Sequence, residues 1–143
     1  FPLTNKANQY QILREKDFIE GVGENAFGVD YNWQGKNFES NNNYQIYGTS
    51  IDYLIKNKIL KMPNYIKIDV DGIEHLILEG GIECLSSPEL KSIFVEINDN
   101  LPTQDKIIKL MNKYNFKTKH KKVSKLVSSV KKFSTLYNYV FEK

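Results

Sequence analysis

Two periods alternate along the chain. From Thr49 to Leu60 the apolar residues Ile51, Leu54, Ile55 and Ile59 recur three or four apart, predicting a helix that packs on a sheet, and Thr49 with Asp52 reads as a capping box at its start. Met62-Pro63-Asn64 ends that helix, since proline lacks the N–H that a helical bond requires. The period then drops to two. In "YIKIDV", Tyr65 to Val70, one face of a predicted strand carries Ile66, Ile68 and Val70, and the other carries Lys67 and Asp69. After Gly72, "IEHLILEGG" predicts a short helix with Ile73, Leu76 and Ile77 inward and Gly80-Gly81 as its C-cap. "SIFVEI", Ser92 to Ile97, is almost continuously apolar, as a parallel strand covered on both faces should be. "TQDKIIKLMNKYN" then predicts a helix burying Ile107, Ile108, Met111 and Tyr114, and "FKTKHK" and "STLYNYVFEK" predict two closing strands.

The first fifty residues are less regular. "YQILR" (Tyr10 to Arg14) and "YQIYGT" (Tyr44 to Thr49) predict short strands of a hairpin-like excursion, with "GVGENAFG" and "ESNNN" as turns between them. "GVGENAFG" imitates a glycine-rich nucleotide loop, but no apolar strand enters it and no helix leaves it. The whole reads as α/β, one domain over residues 1–143, with parallel strands and an antiparallel finish.

Composition narrows the class. A chain of 143 residues with 41% apolar content can bury roughly two-thirds of its unfolded surface. It has no apolar run near the roughly 18 residues of a transmembrane segment and no signal-peptide pattern, so a soluble, cytoplasmic protein is expected. Cys84 is the single cysteine, and His75 and His120 lie far apart, so no disulfide and no metal is assigned. The net charge of +3 is carried almost wholly by lysine, Arg14 being the exception. Phosphate and base recognition favours arginine, so no nucleic-acid partner is expected. The basic run from Lys117 to Lys132 reads as a solvated loop between strands.

The candidate chemistry gathers where strands end. Ligands of open α/β sheets sit outside the carboxyl ends of the strands. Asp69 and Asp71 fall there on the first parallel strand, and Glu96, Asn98 and Asp99 on the next, placing five polar groups around one predicted crevice. Carboxylates are far less costly at such a rim than in the core, and Gly72 lets the backbone turn sharply behind them. A calcium loop with Gly72 at its sixth position would need Lys67 and Leu78 as ligands, and no phosphate loop, HExxH or GxSxG pattern occurs. The Asp69-Val70-Asp71 triplet is shared with metal-dependent glycosyltransferases and leaves a nucleotide-sugar transferase as one alternative. A non-catalytic α/β binding module is another.

"TSIDYLI", "PNYIKIDVDGIEHLILEGG" and "IFVEIN" together resemble the core of the FkbM-type methyltransferases, which use S-adenosylmethionine. The matching residues are Thr49 and Asp52, then Lys67, Ile68, Asp69, Val70, Gly72, Glu74 and Gly80, then Val95, Glu96 and Ile97. Asp71 stands where the family has glutamate, and Ser50-Ile51 where it has threonine-leucine. The resemblance implies a Rossmann-like class I methyltransferase sheet, of which this chain supplies the C-terminal portion, ending in the antiparallel strand "YNYVFEK". It further implies S-adenosylmethionine as cofactor and O-methylation of a sugar or another hydroxyl-bearing small molecule. Asp69 is expected to face the cofactor's methionine end or the acceptor, Glu96 the acceptor, and Asp69, Asp71 and Gly72 the cofactor, while Asp71 and Glu74 orient the turn or cap its helix. Family members also carry, upstream, a strand with a glycine-rich loop and a strand ending in an acid, neither of which occurs in these residues. With a start at Phe1 rather than methionine, the chain is expected to be the C-terminal half of such a domain, and inactive in isolation. Its "YIKIDV" strand would then form a sheet edge open to self-association, giving a homo-oligomer.

Overall fold

A computed structural model describes residues 2–17, 25–123 and 134–143. Among the described residues eleven elements follow one another: β1 (Gln9–Glu15), β2 (Asn25–Phe27), β3 (Asn42–Gly48), α1 (Ile51–Lys56), β4 (Tyr65–Ile68), α2 (Glu74–Glu79), α3 (Ile82–Ser86), β5 (Ser92–Asn98), α4 (Pro102–Lys113), β6 (Lys117–Lys122) and β7 (Leu136–Glu142). They build two sheets, β2-β1-β3 and β4-β5-β7-β6.

The larger sheet is mixed. β4 and β5 run parallel, with Tyr65 opposite Ser92 and Ile68 opposite Val95, whereas β7 is antiparallel to both β5 and β6. Pleating sorts the side chains: Ile66 and Ile68 share a face with Ile93 and Val95, which lie opposite Phe141 and Tyr139. Helices α2 and α4 close over this face, so that Ile77, Leu78, Ile107 and Met111 join it in one buried cluster. Fully burying a side chain of this size contributes about 1.5–3 kcal/mol, which makes this layer the main stabilising term of the domain. The other face of β5 is less covered. Phe94 and Glu96 are half-buried there, although the continuous apolar run predicted cover on both sides.

The smaller sheet is antiparallel throughout, β1 pairing with β3 from Gln9 opposite Gly48 to Glu15 opposite Asn42, as the hairpin-like reading expects. It differs in one respect. Asn25–Phe27, inside the stretch read as a turn, adds a third strand on β1, because Phe27 finds burial in the core. The preceding Gly21 to Glu24 portion of that stretch lies outside the described residues, as does the Ser124 to Lys132 portion of the lysine-rich run.

Other differences lie at helix boundaries. The cap of α1 is Ser50, whose hydroxyl accepts the Tyr53 N–H at 3.2 Å. Asp52 reaches instead to the start of α3 and accepts the N–H groups of Glu83 and Cys84, both at 2.9 Å. The helix ends at Lys56, and Lys58 takes a positive φ of 57°. Ile59 is therefore left 57% exposed rather than inward. α2 does end at Gly80, but with φ −78°. Glycine is required there by proximity: a Cβ would sit 2.2 Å from the Thr4 carbonyl oxygen. β4 stops at Ile68, two residues short of Val70, which is 38% exposed. β4 is also the last strand on its side of the sheet.

Candidate functional site

The carboxyl ends of β4 and β5 open into a pocket of about 110 Å³. Asp71 and Gly72 supply one wall from the β4–α2 turn, Glu74 the floor from the first turn of α2, and Glu96, Ile97 and Asn98 the second wall from β5. Trp33 from the β2–β3 loop, Val70 after β4, Leu101 and Thr103 from the start of α4 and Leu136 from β7 complete it. Parallel strands make this arrangement natural, because both chains leave the sheet at the same level.

Trp33 reaches the pocket because its loop is pinned from two sides. The Asn98 amide donates to the Trp33 carbonyl at 3.1 Å, and the Asn98 side-chain oxygen in turn accepts the Asn100 N–H at 3.1 Å. From the other side the loop backbone packs on Gly72. A Cβ at Gly72 would lie 3.0 Å from the Trp33 Cα, and its φ of +97° is a conformation that other residues rarely adopt. Gly72 thus turns its open side toward the Trp33 loop.

Of the five polar groups expected around one crevice, Asp71, Glu96 and Asn98 share this pocket. Asp69 lines the adjoining grooves, of about 270 and 380 Å³, which run along β4 past Ile77. Its carboxylate pairs with the Lys67 ammonium at 2.8 Å, two residues away on the same face. The parallel register of Lys67 opposite Phe94 gives that face Glu96 as well, and Asp69 is among the charges that act on Glu96. Asp99 is drawn elsewhere: it accepts the Tyr139 hydroxyl at 2.7 Å and pairs with Lys121, so it ties the β5–α4 loop to β6 and β7 and does not line the pocket.

Burial decides the electrostatics. Glu74 is 6% exposed, and its Oε1 accepts the Gly72 N–H at 3.0 Å. Desolvation, helped by the nearby charges of Glu96 and Asp71, pushes its carboxyl up to about 7 despite that hydrogen bond. Glu96 is also raised, first by burial and then by Asp69 and Asp71, with Lys67 opposing. Asp71 accepts the Asn25 N–H at 3.4 Å. Among the described residues no basic side chain lines the pocket, and no group of three or more His, Cys, Asp or Glu side chains converges as a metal site.

Glu74 lies at the turn, as expected, and also lines the pocket. The signal was there: an acid one residue after an inward Ile73 in a helix whose buried side includes Ile77 and Leu78 must share that burial. Trp33 carried no such signal, because its loop is far away in sequence and joins the site only through Gly72 and Asn98.

A strand-end pocket rich in carboxyl groups fits many chemistries, so relationship matters. The model of the methyltransferase FkbM domain matches residues 32–118, more than half of the chain. The chain belongs to the FkbM methyltransferase domain family. The matched region begins one residue before Trp33 and takes in every pocket residue except Leu136, so the loop that completes the pocket falls within the FkbM domain. Neither curated proteins nor solved structures give a match. No helix among the described residues is long and apolar enough to cross a membrane.

Proposed function

We propose that this FkbM domain works in an S-adenosylmethionine-dependent methyltransferase that methylates a hydroxyl oxygen of a saccharide or similar small molecule. The observation that carries this reading, beside family membership, is the pocket's charge: three carboxyl groups and no basic side chain among the described lining residues. Such a rim suits a cationic ligand. The sulfonium and ammonium groups of S-adenosylmethionine are cations, and carboxylates a few ångströms away stabilise them without the loss incurred in a sealed core. Asp69, Asp71 and the Gly72 turn are the candidates to hold the cofactor, which supplies an electrophilic methyl group. Glu96, half-buried and raised, is the candidate to accept a hydrogen bond from the acceptor hydroxyl and orient it. Trp33 offers an aromatic surface of the kind on which the C–H face of a sugar rests. The four-strand order, parallel then antiparallel, supports a Rossmann-like class I sheet of which this chain forms the C-terminal portion.

A nucleotide-sugar transferase reading would bring a diphosphate against the same carboxyl groups and so would call for a divalent cation to bridge them. The two readings separate in one assay. Full-length protein incubated with methyl-labelled S-adenosylmethionine and a mixture of mono- and oligosaccharides should release labelled methyl ether with no added metal, and Asp69→Asn should cut the yield at least about tenfold. No transfer of the methyl label, or glycosyl transfer from an added nucleotide sugar that needs manganese, would reject the proposal.

A further inference from the structure

Methyl transfer to a hydroxyl needs a group to take the proton, and on the proposed reading above two carboxyl groups border the acceptor space, the buried Glu74 and the half-buried Glu96. We infer that Glu74 is the catalytic base, receiving the proton of the acceptor hydroxyl, while Glu96 positions that hydroxyl.

Glu74 lines the pocket from below yet is 6% exposed, so a proton delivered to it leaves bulk water behind. Its place is fixed. Oε1 is held at 3.0 Å by the Gly72 N–H, and a carboxylate with two oxygens retains acceptor capacity for a hydroxyl. The titratable groups acting on it are Glu96 from β5 and Asp71 from the β4–α2 turn, and Glu74 in turn raises Tyr31 of the β2–β3 loop. All are acidic. Buried beside acidic groups, Glu74 gains from picking up a proton. Glu96, by contrast, lies half-buried on the more open face of β5; burial, Asp69 and Asp71 raise it too, but Lys67 opposes them, a counter-charge that does not figure among the groups acting on Glu74.

The chemistry then balances. The hydroxyl oxygen forms the new C–O bond with the methyl carbon as the carbon–sulfur bond breaks and its electron pair stays on sulfur, and the hydroxyl proton passes to the Glu74 carboxylate, from which solvent removes it between turnovers. A base is most effective when it titrates near working pH, and burial pushes Glu74 up to about 7.

The test uses Glu74→Gln, which keeps an oxygen for the Gly72 N–H and removes the base. In wild-type protein the Gly72 amide resonance should titrate with a midpoint near 7, and it should not titrate in the variant. The methylation rate should rise with pH through that same midpoint in wild type and fall at least about 100-fold in Glu74→Gln, with binding of S-adenosylhomocysteine unchanged. A Gly72 amide titrating below about 5, or a variant within a factor of about three of wild type, would overturn the role of Glu74 alone. Wild-type protein that fails to bind S-adenosylhomocysteine would overturn the methyltransferase reading beneath it, and this inference with it.

Discussion

Glu74 and Gly72 show how single residues set the site. A carboxyl whose folded value exceeds its unfolded one binds a proton more tightly when folded, so it favours the folded state at low pH, and that advantage is lost as pH rises. For Glu74 the window runs from the ordinary 4.5 to about 7. By linkage this amounts to about 2–3 kcal/mol between pH 5 and pH 8. Urea denaturation at those two pH values should therefore show wild type losing about that much more stability than Glu74→Gln. Gly72→Ala should cost about 1–3 kcal/mol from its backbone conformation alone, and more if the Trp33 loop is displaced; tryptophan fluorescence of the only indole in the chain reports that displacement directly. At this scale the sequence was informative about which residues sit at the strand ends and less so about their company. Asp99 was grouped with Glu96 by adjacency, but its side chain follows Tyr139 and Lys121 on β7 and β6. Partners that arrive from 40 residues away leave no local pattern.

At the scale of elements, periodicity located most helices and strands, and capping chemistry explains where boundaries moved. Asp52 fits the position of a capping-box acid on α1, yet it spends both oxygens on the first-turn N–H groups of Glu83 and Cys84 in α3. α3 has Gly81 as its cap residue and no side chain of its own for the task. Removing Asp52 should thus unfasten α3 from α1. Asp52→Ala is expected to lower stability by about 1–2 kcal/mol, the scale of a lost N-cap, whereas Thr49→Ala should leave the α1 cap intact because Ser50 supplies it. Thermal denaturation of the two variants in parallel distinguishes these assignments. The helix predicted through Ile59 failed for a similar reason. Apolar residues at helical spacing continue to Leu60, but the chain leaves the helix at Asn57 and Lys58, and spacing alone carries no information about that exit.

For the molecule as a whole, the α/β layout with an antiparallel finish was legible, since runs of period two and three to four alternate in order and the last two strands, β6 and β7, pair antiparallel. The third strand of the small sheet and the one-sided cover of β5 were not, because both depend on which surfaces meet. β4 closes one side of the large sheet, with Lys67 and Asp69 paired beside its grooves. Charges on a strand margin discourage indiscriminate pairing. The account stands most directly on the claim that the acids at the β4 and β5 ends serve a methyl-donor cation. Isothermal titration of the full-length protein with S-adenosylhomocysteine and with a uridine diphosphate sugar, each with and without manganese, tests it. The account predicts metal-independent binding of S-adenosylhomocysteine that weakens at least about tenfold in Asp69→Asn; binding of the nucleotide sugar alone, and only with manganese, would contradict it.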